Sequence, residues 1–407
     1  MSEAGQTETA LGQSPCFTPG TRLHQELSIY VHLPFCIQKC VYCAFDSVVG
    51  SETDLLAWHQ AILRDLELQA YHLAQRYQYV VSLFFGGGTP SLLSPRLIGE
   101  IIDLVQSLWT CSTSMEITME ANPESVTEAK LHGWRRAGVN RLSLGVQAMS
   151  DHRLFLLGRP HDSAMVQRAF QAARTEGFDN INLDLIYGSP QHTPEQWRWE
   201  LDQAMALEPE HFSCYSLSIE PGTPLAEQLS LGQCALPPED ILETIHFLTV
   251  ESLVIQGWER YEVSNYARPD YCCRHNLGIW RSGDYVGVGP AAHGKTTLDD
   301  WTEVRTVNHW PVQRYVHALE RGEVPFQWVE VSSRREAAVD CLLMGLRLAS
   351  GIPRQLYLDR AGVDLLETKG REVQMLIQEG LLHVDTASIR LSARGMDLLN
   401  SCLEWLI

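Results

Sequence analysis

The chain has 407 residues, with 31 basic against 50 acidic side chains and a formal net charge of −19. At 45% hydrophobic and 20% charged it has the composition of ordinary globular protein, and at ~150 residues per domain its length allows two to three domains. The acidic balance argues against a protein that lives on nucleic-acid phosphates or on an anionic membrane, since both demand a basic face.

Residues 1–27 are polar, have neither the basic nor the apolar region of a secretory leader, and are expected to be a disordered N-terminal tail. No run of ~18 apolar residues occurs, so no membrane-spanning helix is expected, and the expected location is cytoplasmic. Short apolar runs then recur at 28–34, 80–86, 115–121, 141–146, 180–186 and 211–219, with stretches of helical spacing between them. Buried strands alternating with helices predict parallel βα units, and six of them fit a partial (β/α)6 barrel better than a closed eightfold one. One more helix is expected over 241–256, followed by a Gly-, Tyr- and Asn-rich loop from 261. From 308 the pattern is mainly helical, and LLHVDTASIRLS at 381–392 reads as two short strands about a turn. A small winged-helix-like hairpin is the expectation there. The resulting division is 1–27 tail, 28–260 α/β core, 261–305 loop region and 306–407 helical C-terminal domain.

Eleven cysteines are present, and three crowd into SIYVHLPFCIQKCVYCAF (28–45) at Cys36, Cys40 and Cys43. This C-x3-C-x2-C run follows the first predicted strand, and β/α barrels place their active sites at the carboxyl ends of strands. Three thiolates suit zinc, with His32 as a fourth ligand, or an iron–sulfur cluster. Three cysteines on a four-iron cluster leave one iron open to a substrate or cofactor. FFGGGTPSLL (84–93) follows the second strand, where Gly87, Gly88 and Thr89 let backbone approach a ligand. Glu120, Gln147 and Asp184 are polar residues in or just after the third, fourth and fifth strands. Their convergence favours a pocket, with Arg159 as counter-charge or carboxylate clamp.

The cysteine run with Tyr42 before its third cysteine resembles the radical S-adenosylmethionine signature. Together with GGGTPS, EANP, RLSLGVQ, LGRPH, INLDLIYG and YSLSIEPGT, the chain resembles the oxygen-independent coproporphyrinogen III dehydrogenase group. The resemblance implies a [4Fe–4S] cluster on Cys36, Cys40 and Cys43. It implies S-adenosylmethionine on the open iron, contacted by Tyr30, Tyr42, Gly87, Gly88, Thr89, Glu120, Gln147, Arg159 and Asp184. One electron from the cluster would then cleave the sulfonium, leaving methionine and a 5′-deoxyadenosyl radical. Within that group the chain is most similar to the haem-chaperone branch. Phe45 stands where the dehydrogenase has a further cysteine, and few residues precede the signature. HNLGIW (275–280) resembles the chaperone's H-N-x-x-Y-W segment, with Ile279 in place of its tyrosine. The resemblance thus implies haem as cargo, with His275 as candidate ligand, and a haem-acceptor protein associated with a respiratory membrane. Cleavage of S-adenosylmethionine is implied, whereas decarboxylation of coproporphyrinogen III is not expected. Cys272 and Cys273 do not form the C-x-x-C-H arrangement of covalent haem attachment and receive no role.

Overall fold

The computed structural model describes residues 24–407. Six strands alternate with helices as the apolar rhythm requires. In chain order these are β1 (His24–Leu33), α1 (Glu52–Leu73), β2 (Tyr77–Gly87), α2 (Pro95–Leu108), β3 (Cys111–Ala121) and α3 (Glu128–Ala137). They continue with β4 (Arg141–Gln147), α4 (Ser163–Thr175), β5 (Ile181–Tyr187), α5 (Pro194–Met205) and β6 (His211–Ser216). All six strands pair in parallel and in sequence order, β1 to β6. The helices begin on side-chain caps that satisfy their first amides. Ser51 with Asp54 and Thr193 with Gln196 form capping boxes on α1 and α5. The stripe Leu97, Ile98, Ile101, Ile102 and Val105 buries one face of α2 against the sheet. The first strand starts at His24, four residues before the expected boundary. The rest of the expected tail, 1–23, lies outside the described residues.

The helix expected after β6 is present as α6 (Glu239–Ile255), but the segment from 261 differs from the expected loop. It contains β7 (Asn265–Ala267), α7 (Arg274–Trp280), β8 (Asp284–Val288), β9 (His293–Thr297) and β10 (Glu303–Asn308). It goes on to α8 (Val312–Glu320) and β11 (Phe326–Ser332). Strand β8 joins β1 in parallel, β9 to β11 extend that side antiparallel, and β7 flanks β6 antiparallel. The glycines that make 287–294 look like a loop have another cause. A Cβ on Gly287 would collide with the His293 carbonyl, so glycine is needed where this hairpin's strands cross closely. The parallel strands form an open arc inside one long mixed sheet, with β11 at one end.

A second hydrophobic core, from Ala338 to Leu406, lies in the C-terminal part. It joins α9 (Arg334–Gly345), α10 (Arg354–Ala361) and the hairpin β12 (Leu382–Val384) and β13 (Ser388–Leu391), which pair antiparallel at 382–391. The expected helix at 394–405 is two short helices, Ala393–Asp397 and Leu399–Leu406. Among the described residues, no helix is long and apolar enough to cross a membrane.

Buried charge ties the second core to the sheet. Arg360 of α10 donates to Glu303 of β10 and, at 2.7 Å, to the Ser282 carbonyl, while Lys295 of β9 reaches Glu303 at 3.1 Å. Burial alone would raise Glu303, but Lys295 and Arg360 outweigh it and hold the carboxyl below its usual range. The stabilisation is therefore complete above the unfolded carboxylate value and is lost as pH falls through the lower native one. Arg360→Ala leaves a buried carboxylate with only Lys295 and the longer contact to Arg305 as cationic partners. It is expected to destabilise by about 3 kcal/mol, read by urea unfolding at pH 7, with the deficit shrinking as the pH falls below 4.

Candidate functional site

The carboxyl ends of the parallel strands form a mouth, and in five of the six strands one residue is slightly less enclosed than its strand neighbours. These are Tyr30 on β1, Gly87 on β2, Glu120 on β3, Gln147 on β4 and Asp184 on β5, flanked mainly by fully buried neighbours. All five are residues singled out from the sequence. Each sits where an inward-facing position meets the opening, so burial and polarity pick the same set.

The cysteine loop leaves β1 and closes over one side of the mouth. Cys43 N donates to the Cys40 carbonyl at 3.2 Å, and Leu225 N donates to the Val41 carbonyl at 2.9 Å. Gln38 Nε2 donates to the Gly158 carbonyl at 3.4 Å. Tyr42 packs on Ala148, Leu154 and Leu157. The glycine turn presses on the base of this loop. A Cβ on Gly88 would lie 2.6 Å from the Phe35 carbonyl oxygen and 3.0 Å from Cys36 Sγ. Gly87 has φ +109°, and a Cβ there would meet the His32 ring at 2.6 Å. Both positions require glycine for close approach to the cysteine loop, in addition to any contact with a ligand. Gly87 N also donates to Glu120 Oε2 at 3.1 Å.

Arg159 binds the cysteine loop itself. Its Nη1 donates to Cys40 Sγ at 3.2 Å, and its Nη2 donates to Asn122 Oδ1 at 2.7 Å and to the Gly145 carbonyl at 3.3 Å. Its Nε is buried with no partner, a donor left over at the rim of the pocket. Asn122, which composition and spacing did not single out, also donates through Nδ2 to Thr89 Oγ1 at 3.3 Å. Its place directly after the third strand, in EANP, was the available signal. His161 was likewise unassigned. Its ring bridges Glu124 Oε2 at 2.9 Å and the Val146 carbonyl at 3.1 Å, fixing the turn that carries Arg159. Gln147 adopts φ +65°, a left-handed conformation costing about 1–3 kcal/mol, of the kind that marks functional sites.

The carboxyls are held in unusual states. Burial, and after it the Asp184 charge, pushes Glu120 up to about 8 despite the bond from Gly87. Burial also raises Asp184, opposed by hydrogen bonds from Ser143 at 2.9 Å and Asn182 at 2.9 Å. Burial raises the Tyr30 phenol, which hydrogen-bonds His32 Nδ1 at 3.0 Å. The other ring nitrogen of His32 faces the Asp46 carbonyl at 3.1 Å. With both nitrogens engaged, His32 is not available as the fourth ligand of a Cys3His zinc site. Among the described residues, no three His, Cys, Asp or Glu side chains converge on one metal-ion position.

His275 lies below the mouth, on α7, which closes the lower end of the arc. Its ring stacks on Phe84 at 4.9 Å between centroids, and its Nδ1 meets Ser82 Oγ at 2.9 Å. Glu116 holds the first turn of α7 by accepting from Arg274 N at 2.9 Å, His275 N at 3.1 Å and Cys273 Sγ at 3.4 Å. Burial and the Arg141 charge lower His275 to about 3, so its ring is neutral at pH 7. The histidine expected on an open loop is thus enclosed, and the structure does not bring it together with the cysteines.

The arrangement fits a cluster with a chelating ligand. It offers three thiols on one loop, a glycine turn against the first of them, an arginine on the second, and a ring of carboxyl and amide groups beyond. Comparison with known proteins agrees. Residues 30–204 match the model of the radical SAM superfamily, and 332–398 match the HemN C-terminal domain. The heme chaperone HemW of Escherichia coli K12 is 35% identical over 93% of this chain and 97% of its own. The heme chaperone HemW of Haemophilus influenzae is 32% identical over the same shares. The solved structure of coproporphyrinogen III oxidase HemN from Escherichia coli, a radical SAM enzyme, superposes with a TM-score of 0.78 at 23% identity. That match covers 94% of this chain and 90% of the other, and it establishes the fold.

Glu120 supplies a pH test of the site. Its native pKa of about 8 exceeds the unfolded value of ~4.3. Stability from this group is therefore complete below ~4.3 and is lost as pH rises through 8. Glu120→Gln stays neutral throughout. Without added ligand, its unfolding midpoint is expected to fall less than the wild type's between pH 5.5 and 8.5, as measured by urea titration.

Proposed function

The chain belongs to the radical SAM superfamily, in the group of the heme chaperone HemW, and from that premise we propose that it binds haem and transfers it to an acceptor protein. Cys36, Cys40 and Cys43 hold a [4Fe–4S] cluster in this reading. Tyr30, Tyr42, Gly87, Gly88, Thr89, Glu120, Gln147, Arg159 and Asp184 hold S-adenosylmethionine. When bound, the cluster supplies one electron to cleave the sulfonium of S-adenosylmethionine. The protein's own groups do the rest. The glycine turn offers backbone donors beside Cys36, Arg159 offers its free Nε, and Glu120 and Asp184 supply acceptors for an amine or ribose hydroxyls.

The observation that carries the chaperone reading is Phe45. It follows the cluster cysteines, is 64% exposed, and stands where the resemblance puts the dehydrogenase's further cysteine. The full-length similarity to heme chaperones supports the same choice. His275 is the proposed axial ligand. Because the ring is packed on Phe84 and bonded to Ser82, ligation requires α7 to withdraw from the floor of the arc. The acceptor is proposed to be a membrane-associated respiratory protein.

Protein purified without oxygen is expected to hold iron and sulfide in equal amounts, near four of each per chain. With a strong reductant it is expected to release 5′-deoxyadenosine, and Cys40→Ala to reduce that release to background. Stoichiometric zinc without sulfide would overturn the cluster. The same preparation is then given haem or coproporphyrinogen III. One haem per chain, with a Soret band and no conversion, is the expected result, and repeated turnover to protoporphyrinogen IX would establish the biosynthetic reading instead. A Soret position unchanged in His275→Ala would remove His275 as ligand and leave the chaperone function standing.

A further inference from the structure

Arg159 spends its guanidinium on the protein in an informative way. One arm donates to the sulfur of Cys40, and the other is fixed by Asn122. Asn122 is itself anchored on both sides, because its amide donates to Thr89 Oγ1 and its backbone N–H to Ser91 Oγ at 3.2 Å. Room for this junction comes from Gly145. A Cβ there would stand 2.8 Å from Asn122 Oδ1, 3.0 Å from Gln147 Nε2 and 3.6 Å from Arg159 Nη2. Asn122, Gln147 and Arg159 thus converge over a missing side chain, and the glycine turn is linked through Thr89, Asn122 and Arg159 to Cys40.

We infer that Asn122 is a positioning residue that holds Arg159 on Cys40 Sγ, and that the resulting N–H···S bond raises the reduction potential of the cluster. This rests on the assignment of the cluster to the three cysteines. Hydrogen bonds to ligand sulfurs and nearby positive charge both stabilise the reduced state of an iron–sulfur cluster, which carries one more negative charge than the oxidised state. Arg159 supplies both to one sulfur. Cys36 instead abuts the backbone of Gly88, and Cys43 takes a backbone hydrogen bond from Phe45, so Arg159 acts through Cys40. Without Asn122, the Nη2 arm keeps only the longer contact to the Gly145 carbonyl, and the guanidinium loses the shortest of the bonds that hold its plane towards the sulfur.

The test is a reductive titration of anaerobically purified full-length protein, with dithionite, redox mediators and no S-adenosylmethionine, followed by the EPR signal of the reduced cluster. Wild type, Asn122→Ala, Asn122→Asp and Arg159→Gln are compared at equal iron and sulfide content. The expected result is a more negative midpoint in Asn122→Ala and in Arg159→Gln. Asn122→Asp keeps the acceptor for Nη2 but its negative charge partly offsets that of Arg159, so its midpoint is expected to fall between those of wild type and Arg159→Gln. A purely structural role for Asn122 would not move the midpoint of a cluster that remains fully assembled. Midpoints unchanged in Asn122→Ala and Arg159→Gln overturn the inference. So does loss of the cluster from either variant while the wild type retains it, since the pair would then build the site without tuning it. Absence of iron and sulfide from the wild type is a different result, the failure of the cluster assignment.

Discussion

The close approach of two chain turns at the carboxyl ends of β1 and β2 governs the site. Gly88 N donates to the Leu33 carbonyl at 2.6 Å, Gly87 faces the His32 ring, and Gly88 faces Phe35 and Cys36. No other residue type fits either position, so the cysteine loop can rest on the barrel only if these two side chains are absent. From that contact the rest follows. Cys36 is fixed beside the glycine turn, the loop swings over to meet Arg159, and Glu120 reaches back to the Gly87 amide. A loop of three cysteines is thereby held against a rigid strand end, and reactive groups carried on loops depend on such support.

The parallel core was legible because its physics is local. A strand buried on both faces reads as an apolar run, and a helix against it reads as a stripe, so all six βα units announce themselves. The site residues were legible for the opposite reason. Glu120, Gln147 and Asp184 break apolar runs, and a polar side chain at such a position has to be accounted for. Asn122 and His161 escaped notice because each acts through Arg159, and a residue whose partner lies tens of positions away leaves no periodic trace. The segment after residue 261 departs from the expected loop for a similar reason. Its glycines answer to a tight crossing of β8 and β9, and from sequence alone that demand looks the same as a turn. The polar residues there, Lys295 and Glu303 among them, are paired inside the protein instead of exposed on a loop.

The interior of the arc explains why His275 lies where it does. Below the mouth, the inward positions carry Ser28, Ser82, Glu116, Arg141 and Asn182, all buried. Such a lining is costly unless its groups find partners, and α7 supplies those of Glu116 and Ser82. Its first-turn amides and the Cys273 thiol go to Glu116, and its histidine goes to Ser82. The HNLGIW segment is accordingly part of the floor that satisfies the polar core, whatever else it binds.

The spread of the site over separate βα units also bears on how the protein comes into being. Arg159 meets Cys40 across 119 residues of chain, and Asp184 and Ser143 meet across 41. No fragment contains the pocket, and contacts of such range form late, since the loops between them must first be closed. As the chain emerges from a ribosome, the three thiols therefore appear well before the arginine and the carboxyls that will surround them. Assembly of a cluster on the bare loop would leave it open to water and oxidants for that interval. Maturation after the barrel has closed is the order of events that this topology favours.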